Sequence, residues 1–234
     1  MKSWSIVDFV LVWLGGILAA SIFLALGEFL DAGSWAPMIG VAGQYVGFTG
    51  VFLLIARGRD TDELGLRIES GDLRYLALGL FLQLVVATLL TPIAEALLPD
   101  GGQPQQLIDR IVGPDPSPAL RITFFTAAVV PGPFFEELIY RGILLRSFLP
   151  RGRYVAIVGT AVIFAAVHIP DLDLENLAAS IAVVMPPLLI LAVLLAWLTL
   201  RTERLGPAIF LHSGWNLLAA IVLLIPSEVL ESVS

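Results

Sequence analysis

Long apolar runs follow one another along this chain with little between them, at 6–29, 35–56, 74–98, 119–149, 154–169, 177–200 and 205–226. A helix that crosses the hydrocarbon core of a bilayer needs about 20 such residues at a rise of about 1.5 Å each. The runs therefore predict an all-α fold, a polytopic membrane helix bundle of about seven transmembrane helices, with residues 1–234 forming a single integral membrane domain. Composition agrees: 58% of residues are apolar and only 14% charged, against roughly 25% charged in ordinary globular domains. The first run is too long for a signal-peptide core and lacks a small-residue cleavage site, so it reads as a permanent span. A net charge of −7 argues against a nucleic-acid partner and leaves the lipid bilayer as the expected surroundings. With no cysteine, disulfides, thiolate nucleophiles and thiolate metal sites are all excluded.

Positive charge in the connections sets orientation. Lys2 precedes the first run, Arg57, Arg59 and Arg67 follow the second, Arg146, Arg151 and Arg153 separate the fourth from the fifth, and Arg201 and Arg204 separate the sixth from the seventh. The connections between these carry little or no positive charge; that between the fifth and sixth runs holds Asp171, Asp173 and Glu175. The alternation predicts a multi-pass protein of the cell membrane with a cytoplasmic N-terminus. The polar stretch 99–118 is expected to cover the outer side.

An Asp, Lys or Arg at the centre of a spanning helix costs about 2.5–3.5 kcal/mol on insertion scales, so each ionisable group held there is a functional candidate. These groups are Glu136, Glu137 and Arg141 in the fourth run, His168 in the fifth and His212 in the seventh, with the amide Asn216 one turn further on. Asp8, Glu28 and Glu95 lie near run ends and read as solvated helix termini. Counted from the cytoplasmic borders, Glu136 lies about 20 Å deep, His168 about 22 Å, and His212 and Asn216 about 12 and 18 Å. Glu137 and Arg141, four apart, share a helical face and form an ion pair. Glu136 is rotated by about 100° and is left as the free carboxylate. It suits a general base that takes a proton from water, with His168 helping to bind that water and His212 and Asn216 donating to an oxyanion. The Pro131-Gly132-Pro133 break is expected to leave backbone donors near the carboxylates. Zinc catalysis uses three protein ligands and a water, and Glu136, His168 and His212 could supply the three, with Glu137 the less favoured fourth. Two other classes fit intramembrane Glu and His: a catalytically silent scaffold or immunity protein, and a proton-coupled transporter, although the latter usually shows a repeat that this chain lacks.

The runs Glu136-Glu137-Leu138-Ile139-Tyr140-Arg141, Phe164-Ala165-Ala166-Val167-His168 and His212-Ser213-Gly214-Trp215-Asn216 fit the patterns EExxxR, FxxxH and HxxxN in that order. Together, over a motif-bearing core of 119–226, they resemble the CPBP group of intramembrane proteases, named for CAAX proteases and bacteriocin-processing enzymes and also called the Abi family. Its eukaryotic members are the type II CAAX prenyl endopeptidases. The resemblance implies an endopeptidase, glutamate-type or metallo, that acts on a peptide or protein substrate, prenylated in the CAAX case. Glu136 and His168 would activate the water, His212 and Asn216 would stabilise the oxyanion, and Glu137 and Arg141 would support them. Eight spans are usual in that group, against about seven here.

Overall fold

The structure, a computed structural model, describes residues 2–98 and 116–224. Most of the expected outer cover at 99–118 lies outside the described residues, as does the end of the seventh apolar run. Among the described residues the fold is all helical, with a lone β-bridge between Lys2 and Arg59. The helices are α1 (Ile6–Phe29), α2 (Ala36–Ala56), α3 (Leu73–Leu97), α4 (Pro118–Val129), α5 (Pro131–Glu137), α6 (Leu145–Phe148), α7 (Arg153–Ala166), α8 (Leu177–Thr202) and α9 (Gly206–Leu224). Among the described residues six stretches are long and apolar enough to cross a membrane: Ile6–Phe29, Gly33–Ala56, Ser70–Leu97, Pro118–Arg151, Arg153–Asp171 and Leu177–Thr202. The seventh apolar run folds as α9.

Glycine lets the first two helices meet backbone to backbone. A Cβ at Gly47 would stand 2.4 Å from the Gly15 carbonyl oxygen, and one at Gly43 would stand 2.4 Å from the Phe23 Cβ. Small residues at this spacing are how helices associate in lipid, where no hydrophobic force drives them together. The α3–α9 contact is as close: a Cβ at Gly214 would lie 2.0 Å from the Leu76 carbonyl oxygen.

Ion pairs pin the helix starts. Asp8 accepts the Ser5 backbone N–H at 2.8 Å and the Arg59 guanidinium at 2.6 Å, and is only 3% exposed. It is thus a buried tie between the start of α1 and the connection after α2, not the solvated terminus its position near a run end suggests. Arg204, just before α9, donates to Asp72 just before α3 at 2.7 Å. That hydrogen bond is the chief reason the Arg204 guanidinium is held above its ordinary range.

The fourth run is one long but irregular element. Proline at 131 and 133 removes two backbone donors, the chain turns at Val130 (φ −113°, ψ −74°), and α5 restarts from Pro131. Beyond Glu137 the helix widens into a π-helical stretch, Leu138–Leu144, before α6. Every residue of that stretch is buried, and Ile139, Ile143 and Leu144 pack with Phe9 and Val12 of α1, Phe48 of α2 and Phe164 of α7. The irregular helix is therefore the axis around which the α1–α2 hairpin and α7 assemble. π-Helical turns are rare and recur at functional sites, which draws attention to the residues at its mouth.

Candidate active site

At the junction of α5 and the π-helical stretch, consecutive carboxylates face opposite ways. Glu137 points inward and is fully buried; its Oε1 accepts from Arg141 Nη1 at 2.9 Å and from His212 Nδ1 at 2.8 Å. Because a carboxylate oxygen accepts, His212 presents Nδ1–H here. Its other ring nitrogen, Nε2, lies 3.7 Å from Glu136 Oε2. His212 on α9 thus stands between the two glutamates. Glu136 keeps a side chain 34% exposed, the most accessible member of the group.

Arg141, also fully buried, donates a second bond to the Ala192 carbonyl of α8 at 3.2 Å and lies over the Phe164 ring at 4.5 Å. Phe164 is the hub of the site. Its ring also contacts His168 at 4.9 Å, His212 at 5.9 Å and Tyr140 at 5.1 Å. The first residue of the FxxxH run therefore packs the cation and both histidines around one face-and-edge aromatic. His168 follows the end of α7, where its Nδ1 meets the Phe164 carbonyl at 2.7 Å. A carbonyl only accepts, so Nδ1 carries a proton, and in the neutral ring Nε2 is the acceptor.

Glu136 and His168 line a single cavity of about 410 Å³, together with Tyr140 and Asp171 and, from the hairpin, Trp13 of α1 and Gln44 and Tyr45 of α2. His212 and Asn216 do not line it. His212 stands behind Glu136, and Asn216 Nδ2 donates to the Ala128 carbonyl at the end of α4 at 3.0 Å. This bond revises the expectation for the Pro131 break. Pro131 and Pro133 carry no N–H, and Phe134 N–H bonds the Val130 carbonyl at 3.3 Å, so what the break mainly releases is acceptors. The Ala127 carbonyl, whose helical donor would be residue 131, meets the Tyr45 hydroxyl at 3.4 Å instead.

Sequence reasoning missed the hairpin's share of the wall, since α1 and α2 carry no recognisable motif. The signal available was the Gln44-Tyr45 pair in the middle of an apolar run, which a search for ionisable groups passes over. Asp171, three residues after His168, was read only as part of a connection.

The donor set Glu136, His168 and His212 does not converge as a zinc site. Among the described residues no three His, Asp or Glu side chains gather closely enough to hold a metal ion.

Comparison with curated proteins and with solved structures returns no match. Residues 118–218, about two fifths of the chain, match a family model described as Type II CAAX prenyl endopeptidase Rce1-like. The match spans α4 through most of α9 and so contains all three motif runs and every polar group clustered around Phe164. The chain is thus a multi-pass membrane protein whose residues 118–218 are similar to the type II CAAX prenyl endopeptidase Rce1-like family.

Proposed function

We propose that this chain is an intramembrane endopeptidase of the CAAX type, which hydrolyses a peptide bond through a water held by Glu136 and His168. The observation that carries this reading is the shared cavity: a part-exposed carboxylate and an imidazole with a free acceptor nitrogen face one space inside an apolar bundle. Both groups accept hydrogen bonds. A water between them commits both O–H bonds, one to the Glu136 carboxylate and one to His168 Nε2, and turns an oxygen lone pair toward the substrate.

As that oxygen bonds to the scissile carbonyl carbon, its proton passes to Glu136 and the carbonyl π electrons move to the carbonyl oxygen. When the oxyanion collapses, the C–N bond breaks and Glu136 returns the proton to the departing nitrogen, leaving a carboxyl group and an amine. General base catalysis of this kind contributes about 10²–10⁴-fold. His212 Nε2 lies 3.7 Å from Glu136, beyond direct hydrogen-bond reach, while its Nδ1 is anchored on Glu137. Arg141 holds Glu137 in place through their 2.9 Å contact. Asn216 retains one amide hydrogen beyond the one given to Ala128, and with His212 forms the pair assigned to the oxyanion.

Cleavage by purified full-length protein of a panel of fluorogenic peptides, farnesylated with a CAAX end, unprenylated, or transmembrane, tests the reading. Wild-type protein is expected to cleave at least one, and Glu136→Gln to lose about 10²–10⁴-fold in kcat with its thermal midpoint unchanged. Undiminished cleavage by Glu136→Gln overturns the reading.

A further inference from the structure

The two residues assigned to the oxyanion stand behind the cavity wall, and one amide hydrogen of Asn216 is already spent on Ala128. A tetrahedral intermediate forming in front of Glu136 still needs a donor that reaches it from the open side. Tyr45 of α2 offers one. Its ring stacks on Phe135, the residue just before Glu136, with centroids 4.9 Å apart and planes 11° from parallel. The stack fixes the phenol relative to the base, because Phe135 and Glu136 are adjacent on one helix. Its hydroxyl meets α5 at a glycine: a Cβ on Gly132, which also lines the cavity, would come within 3.5 Å of Tyr45 Oη.

The present partner of that hydroxyl is a weak one. The Ala127 carbonyl takes it at 3.4 Å, near the outer limit for an O–H···O bond, whose usual length is about 2.7–2.8 Å. We propose that the Tyr45 hydroxyl is a catalytic oxyanion donor, leaving the neutral Ala127 carbonyl for the scissile carbonyl oxygen as negative charge develops there. This assignment rests on the protease reading above. A hydrogen bond to an ionised acceptor is about twice as strong as a neutral one, so the exchange is favourable in the transition state and gains little in the ground state. An interaction with that difference raises kcat and leaves KM nearly unmoved. On this account the hairpin, which lies outside the family match, completes the catalytic site.

Tyr45→Phe removes the hydroxyl and keeps the stack on Phe135. In the peptide panel it is expected to lower kcat by about 10²-fold, as loss of one oxyanion donor does elsewhere, with KM within about twofold of wild type. A phosphinic peptide, whose tetrahedral oxygens stand in for the oxyanion, is expected to bind Tyr45→Phe about 10²-fold more weakly than wild type. The uncleaved peptide should bind Glu136→Gln and the double variant Glu136→Gln/Tyr45→Phe alike. If the hydroxyl only braces α4, Tyr45→Phe lowers the thermal midpoint while kcat and phosphinate affinity stay at wild-type values, which overturns the assignment. Should Tyr45→Phe fold poorly, phosphinate titration of its folded fraction gives the same decision. Wild-type cleavage lost in Glu136→Gln but kept in Tyr45→Phe removes this inference alone; no cleavage of any peptide by wild type, or full cleavage by Glu136→Gln, removes the protease reading and this inference with it.

Discussion

Arg141 holds a permanent charge in complete burial, and three contacts make that tolerable: the Glu137 carboxylate, the Ala192 carbonyl and the Phe164 ring. Desolvating two ions is costly, and a buried pair is worth little net, but removing one partner strands the other. Arg141→Ala is therefore expected to destabilise the protein by about 3–5 kcal/mol, because it leaves Glu137 with only His212, and a thermal or denaturant unfolding curve measures this. Arg141→Lys should recover only part of the loss, since an ammonium lacks the planar fork that binds Glu137 and Ala192 while stacking on Phe164. Glu136 behaves differently. It is part exposed and among the described residues has no ion pair closer than 3.7 Å, so its replacement is expected to act on chemistry and not on folding.

The break between α4 and α5 does for the backbone what Arg141 does for charge. Free carbonyls in lipid cost several kcal/mol unless another group takes them. Two of those at the end of α4 are taken by side chains from separate helices, Tyr45 of α2 and Asn216 of α9. The break thus stitches hairpin, fourth run and last helix together about two turns before Glu136. Pro131→Ala restores the N–H that Ala127 lacks and favours an uninterrupted helix through residue 130. The expected result is unchanged or raised thermal stability with a kcat at least tenfold lower, because a continuous helix rotates Glu136 away from His168. A kcat equal to wild type would mean that the turn at Val130 is held by tertiary packing alone.

Across the whole molecule, the site is assembled from two parts of different character. The motif-bearing helices supply the carboxylates, the cation and both imidazoles. The α1–α2 hairpin, zipped by its own glycines, closes the other wall of the cavity. Gly47→Leu would drive a side chain into the Gly15 backbone and part the hairpin; it is expected to impair cleavage even though position 47 does not line the cavity, which comparison of KM and kcat with wild type will show. Orientation is open to direct measurement because the chain has no cysteine of its own. Single cysteines at Arg57 and Arg151 are expected to react with an impermeant maleimide only from the cytoplasmic side, and one at Glu175 only from the outside. The opposite labelling pattern would reverse the topology drawn from the arginine-bearing connections.

The all-helical membrane architecture, the interruption at Pro131, the Glu137–Arg141 pair and the separation of Glu136 from it were all legible in the residues alone. Each follows from a local rule: apolar length, a missing amide hydrogen, and helical spacings of four and of one. The packing of helix on helix is what buries Asp8 against Arg59, widens the helix after Glu137, gathers the cation and both histidines around Phe164, and brings Tyr45 and Asn216 to the carbonyls left open at the break before Pro131. Those outcomes depend on which helix faces which across the bundle. Closely approaching glycines and the packing around the π-helical stretch set that choice, and neither residue spacing nor hydropathy encodes it.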